Sequence, residues 1–161
     1  DRYHFTLGAA YDEVGDKERT IAEMQRAIEL NPRNAAALNY LGYTFAEMSV
    51  KLDEAEHLIR TALEIEPDDG FYIDSLGWVF YQRGDYHRAV EHLERAVELS
   101  GDDPTVVEHL GDAYDRLSQP AAALRVYRDA LARAHENPQI ERLKGKIHGL
   151  QGSGRPDGAP L

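Results

Sequence analysis

The chain has 161 residues, enough for one domain with a real core, and its 42% hydrophobic and 29% charged residues place it among globular proteins. Its 29 acidic side chains against 18 basic ones give a formal charge of −11, which opposes the phosphate neutralisation that nucleic-acid binding needs and disfavours anionic lipid surfaces. The lack of cysteine excludes disulfides and thiolate metal sites, and no apolar run approaches the ~20 residues needed to cross a bilayer.

The chain starts at Asp1 rather than Met and in helix-like text, which predicts a piece of a longer or processed protein and leaves the compartment open. A first unit, residues 1–34, carries Leu7-Gly8 with Tyr11 three positions after the glycine, a turn at Gly15-Asp16, then Thr20, Met24 and Ala27. At 3.6 residues per turn each set shares one helical face, so the unit reads as a helix pair. A second unit, residues 35–69, repeats the pattern with Leu41-Gly42, Phe45, Ala55, Ile59 and Ala62, and its turn over 48–52 holds one extra residue. The third, residues 70–103, has Leu76-Gly77, Phe80, Gly84-Asp85, Ala89, Leu93 and Ala96. The fourth, residues 104–137, has Leu110-Gly111, Tyr114, Ala123, Tyr127 and Ala130.

Successive leucine–glycine steps lie 34, 35 and 34 residues apart, and a fixed period of that length predicts a stacked repeat array. Glycine inside a helix costs about 1 kcal/mol relative to alanine, so four in register predict that helix backbones approach closely there. Asp16, Asp53 and Asp85 read as N-caps of the second helices, Asp53 having capping-box spacing with Glu56. Asn34, Asp69, Asp103 and Asn137 read as caps of the helices that follow, with Pro104 and Pro138 at the first helical residue. Residues 138–150 place Ile140, Leu143, Ile147 and Leu150 on roughly one side and predict a terminal capping helix. Residues 151–161 are poor in large apolar groups and predict a flexible tail.

Leu-Gly, an aromatic three on, Ala, a large residue, Ala and a closing proline (Pro32 and Pro67) resemble the tetratricopeptide repeat over residues 1–136. Gly101 and His135 replace that proline in the later units, and the first unit departs at His4 and Thr20. The resemblance implies an all-α, right-handed α-solenoid of four helix-turn-helix units plus the capping helix. More narrowly, Asp74-Ser75-Leu76-Gly77-Trp78 and Gly84-Asp85-Tyr86 look like a segment of bacterial multi-repeat proteins, including cell-envelope lipoproteins. That likeness implies a bacterial cell envelope or periplasm, with the cytoplasm as the alternative.

No catalytic constellation emerges. His87 and His92 are five residues apart, which turns them about 140° from each other on a helix, so no metal site is expected. Ser75 lacks the glycine-flanked elbow of a hydrolase nucleophile, and Gly145-Lys146 lacks the glycine spacing of a phosphate loop. The expectation is therefore a non-enzyme without cofactor.

In the fold this resembles, the first helix of each unit lines a concave groove. The matching positions are Phe5, Asp12 and Glu13 in unit one, Asn39, Tyr43 and Glu47 in unit two, Phe71, Asp74, Trp78, Tyr81 and Gln82 in unit three, and Glu108, Asp112 and Asp115 in unit four. Aromatics give rigid anchors and carboxylates attract cations, which predicts another protein as partner, through a basic or amphipathic segment. The plainer alternative has Trp78 packing between repeats and the acids only favouring solubility. Repeat proteins that clamp chaperone C-termini use Lys, Arg and Asn in the groove, and here Asn39 alone matches, beside Phe5, Ala9, Tyr43, Asp74 and Trp78, so such a tail is not the expected ligand. Self-association of the module, or recruitment of substrates for an enzyme complex, stand as alternative roles.

Overall fold

A computed structural model of the protein describes residues 1–153. Among the described residues are nine helices: α1 (Arg2–Glu13), α2 (Lys17–Leu30), α3 (Ala35–Glu47), α4 (Leu52–Ile65), α5 (Gly70–Gln82), α6 (Tyr86–Ser100), α7 (Pro104–Arg116), α8 (Pro120–Arg133) and α9 (Asn137–Ser153). Each helix packs on the next in sequence, and the first helices of neighbouring units also touch, α3 with α5 and α5 with α7. Four antiparallel pairs thus stack with α9 added at the end.

The signature glycines are where the pairs close. A Cβ on Gly42 would lie 2.7 Å from Ile59 Cγ1 and 2.9 Å from the Ala55 carbonyl oxygen. One on Gly77 would lie 2.7 Å from Leu93 Cγ, and one on Gly111 2.5 Å from Tyr127 Cε1. Met24, Ile59, Leu93 and Tyr127 are fully or almost fully buried, so each unit sinks one large side chain into the gap its glycine leaves.

The turn inside each pair follows one recipe. Gly15 and Gly84 take positive φ, and Ser49 and Ser118 occupy the same place at φ 53° and 56°. The next N–H then reaches back to the signature aromatic: Asp16 to Tyr11 at 2.9 Å, Val50 to Phe45, Asp85 to Phe80 and Gln119 to Tyr114 at 3.0 Å. This satisfies carbonyls that a helix end otherwise leaves open.

Asp16, Asn34, Asp69, Asp85 and Asp103 cap their helices through the side chain, as the sequence predicts. Two expected caps are corrected. α4 is capped by Lys51, in the left-handed region at φ 48° with no side-chain bond; its carbonyl accepts from Ala55, four positions on, as that of Asp16 does from Thr20 and that of Asp85 from Ala89. Asp53 instead lies inside the first turn and pairs with Arg83 at 2.6 Å. Asn137 is itself helical, and the first carbonyl of α9 is that of Glu136, which accepts from Ile140 at 3.0 Å. α9 also runs past the expected boundary at 150, taking in residues 151–153 of the expected tail; the rest of that segment lies outside the described residues.

Candidate functional site

Equivalent places in consecutive units bring the first helices together along one face. One row runs Phe5, Asn39, Asp74, Glu108 and Arg142, and a second, one turn on, runs Ala9, Tyr43, Trp78, Asp112 and Lys146. Two adjoining clefts open on these rows and share Tyr43, Thr105 and His109. The first lies between Asn39, Phe71 and Asp74, and the second continues past Trp78 and Gln82 to Glu108, Asp112, Arg142 and Lys146.

The aromatic residues are placed as a wall. Phe71 is 51% exposed, and Tyr43 is partly buried. Trp78 stacks on Tyr81 at 4.5 Å and 4°, and on His109 of the next unit at 4.2 Å and 21°. Tyr43 lies 6.4 Å from the same imidazole. Trp78 therefore both joins units three and four and borders the groove. Arg116 sits over Tyr81 at 5.9 Å, and Phe5 meets Tyr40 edge-on at 6.0 Å. Burial first, and then the nearby Glu47 and Asp74 carboxylates, push the Tyr43 phenol well up, so it stays a neutral donor.

The carboxylates, by contrast, are mostly engaged within the chain. Asp12 accepts from Lys17 Nζ at 2.7 Å and from the Tyr40 hydroxyl at 2.9 Å, and the same lysine reaches Glu47 at 2.8 Å. Asp74 is buried against His109. Glu108, 3% exposed, takes Arg142 at 2.7 and 2.9 Å and Lys146 at 2.8 Å. Burial alone would raise the Glu108 carboxyl, but these cations overcome it and hold it at about 2. Asp112 accepts from Lys146 and from the Tyr127 hydroxyl. Gln82 accepts from Ser49 Oγ at 3.0 Å. Glu13 and Asp115 are exposed and, among the described residues, form no ion pair. The expected open acidic surface is thus largely neutralised, since Lys17 and the two α9 cations already occupy it.

Two buried polar atoms of the groove have no hydrogen-bond partner among the described residues: Asn39 Oδ1 and Trp78 Nε1. The sequence reading missed Lys17, Tyr40, His109, Arg142 and Lys146. Arg142 and Lys146 were signalled by the period, standing 34 residues after Glu108 and Asp112.

Two models of the tetratricopeptide repeat match residues 5–70 and 80–147. The chain belongs to the tetratricopeptide repeat family. A tetratricopeptide-repeat-containing protein of Pseudomonas aeruginosa, PA4667, is 36% identical over 103 residues, covering 62% of this chain and 17% of its own length. The type IV pilus assembly protein PilF of the same organism is 26% identical over 140 residues, covering 85% of this chain and 55% of its own. The chain thus spans less than two thirds of either curated relative. The crystal structure of MamA superimposes with a TM-score of 0.70 at 19% identity, over 92% of this chain and 85% of that one, a likeness of fold alone. The helices accordingly form an all-α, right-handed tetratricopeptide solenoid, a fold that generally mediates protein–protein interaction.

Proposed function

We propose that this tetratricopeptide module is a non-catalytic scaffold that holds an amphipathic segment of a partner protein in its concave groove. The observation that carries the reading is the aromatic lining of the two clefts: Tyr43, Phe71 and Trp78 border them while Phe45 and Phe80 fill the interior. An exposed phenylalanine at 51% costs hydration unless something covers it, and rigid aromatic surface loses little side-chain freedom on binding. Because the acids are engaged internally, the partner's apolar side chain supplies most of the affinity, seated between Tyr43 and Phe71. Its polar side faces Glu13 and Asp115 at the rim, which favours Lys or Arg there. The similarity to a pilus assembly protein supports a place in the bacterial cell envelope.

A photo-crosslinking phenylalanine analogue at position 71 tests the reading, with the same group at exposed Leu99 of α6 as control. A partner captured from position 71 and not from 99, and then bound by the isolated module in calorimetry, supports it. Equal capture at both places sinks the groove assignment.

A further inference from the structure

The Asp74–His109 pair differs from the other ion pairs of the groove. Both residues are buried, at 6% and 7% exposure, and His109 Nδ1 lies 3.0 Å from each oxygen of the Asp74 carboxylate. The pair ties α5 of unit three to α7 of unit four, with the imidazole stacked on Trp78. The neighbouring pairs use Lys17, Arg142 and Lys146, which keep their charge near neutrality, whereas histidine changes charge there.

We propose that Asp74 and His109 form a proton-operated latch on the groove, closed while His109 carries its proton and loosened when the proton leaves, with Trp78 released from its stack. The inference concerns regulation of the binding groove, and its consequence for a partner rests on that reading.

With the proton in place, Nδ1–H donates to a carboxylate as a charge-assisted bond, and the imidazolium lies against the indole face. Without it the ring keeps a single N–H, the bond loses its charge assistance, and the buried Asp74 anion faces a neutral ring, which is costly. The charged and titratable surroundings do not remove that dependence. α3 contributes Tyr43 and Glu47, and Asp103 borders the cleft at the start of α7. On α7 itself Glu108 and Asp112 are committed to Arg142 and Lys146 of α9. Among the described residues His109 is the one ion-pair partner of Asp74. Burial disfavours the imidazolium, yet the Asp74 charge and hydrogen bond outweigh it and raise its pKa above the ordinary histidine value. The latch therefore opens as pH rises through that raised value, and the open groove floor carries one more negative charge for a partner's cation.

Trp78 is the single tryptophan of the 161 residues, so emission reports its surroundings alone: intensity follows the charge of the stacked imidazole, and a red shift of the maximum marks release of the stack. In the full chain without partner, emission is expected to be quenched at acid pH and to rise in one step with a midpoint above the ordinary value of about 6.5. His109→Gln keeps an N–H donor that does not titrate, and its curve is expected to be flat; Asp74→Asn lowers the midpoint. A flat wild-type curve, or a step that survives in His109→Gln with helicity intact by circular dichroism, overturns the latch. If that variant does not fold, an NMR titration of the His109 ring in the unaltered chain decides, a midpoint above 6.5 supporting the latch and one at or below it overturning it. No partner enters these measurements, so their failure removes the latch and leaves the groove reading standing, while a missing partner leaves the latch standing.

Discussion

Glu108 and Arg142 occupy the same place in consecutive units, 34 residues apart, and meet through two hydrogen bonds of 2.7 and 2.9 Å. Asp112 and Lys146 repeat the relationship one turn further along. α9 is therefore built as the first helix of a further unit, with Gly145 in the glycine slot 34 residues after Gly111. Its other face is adapted to water. Where unit three has Ile73 and unit four Val107, α9 has exposed Glu141, and a Cβ on Gly145 would meet nothing within 4 Å. The same helix thus extends the groove on one side, while its other face carries a charged residue in place of the aliphatic ones of units three and four.

The Glu108 cluster makes a pH prediction. Its carboxyl is held at about 2 in the folded chain, below its ordinary value of 4.5, so its contribution is fully present above about 4.5 and is lost as pH falls toward 2. Arg142 is half exposed, which weakens the pair, and a contribution of about 2 kcal/mol is expected. Glu108→Gln should lower the melting temperature at pH 7 and leave it nearly unchanged at pH 2. Parallel melting curves for both proteins across pH 2–7, differing by a constant offset, would contradict this.

Two glycine-to-alanine changes should have opposite signs. At Gly111 the new methyl would meet three ring atoms of buried Tyr127 at 2.5, 2.6 and 3.2 Å, and crowding should exceed the helix-propensity gain, destabilising by roughly 1–3 kcal/mol. At Gly145 the methyl enters open space on a helix, and a gain of about 0.5–1 kcal/mol is expected. Urea unfolding of the two single variants checks both, and a loss at position 145 would place a neighbour where none is seen.

The register of Gly8, Gly42, Gly77 and Gly111 was legible in the sequence because close backbone approach demands the same residue in every unit. The neutralised groove was not. Asp74 and Glu108 looked like free acids until the next unit's facing residue was known, and His109 occupies a place held by Ser75 one unit earlier, so no recurring residue type announces it. On α9 the apolar side is legible from Leu143 and Ile147, and the period places Arg142 and Lys146 on the groove rows, but that they pair with Glu108 and Asp112 is seen only in the stacked structure. Asp53 has the residue type of a cap, but the position four before Ala55, equivalent to Asp16 and Asp85, is Lys51.

The turns carry removable strain. Ser118 takes φ 56° where units one and three use glycine at 76° and 79°, and a left-handed conformation is unfavourable for any side chain. Ser118 is exposed and its side chain makes no hydrogen bond among the described residues, so Ser118→Gly should stabilise by about 0.5 kcal/mol. Gly84→Ala, introducing the same strain in unit three, should destabilise by about 1 kcal/mol. Thermal unfolding of both reads the signs directly.

Phe71 separates binding from folding better than Trp78 does. Removing the indole would also strip the packing of His109 and Tyr81, so a loss of affinity in Trp78→Ala would mix two causes. Phe71 is half exposed on the first turn of α5, and its truncation should change stability by less than about 0.5 kcal/mol, as at other surface sites. As an anchor of the partner segment it should nonetheless cost about 2 kcal/mol of binding, near a thirtyfold loss of affinity. Calorimetry of Phe71→Ala against the captured partner segment, with unfolding measured on the same sample, tests this. Unchanged affinity at unchanged stability would move the binding surface away from the aromatic wall, and an equal loss in both would reassign Phe71 to packing.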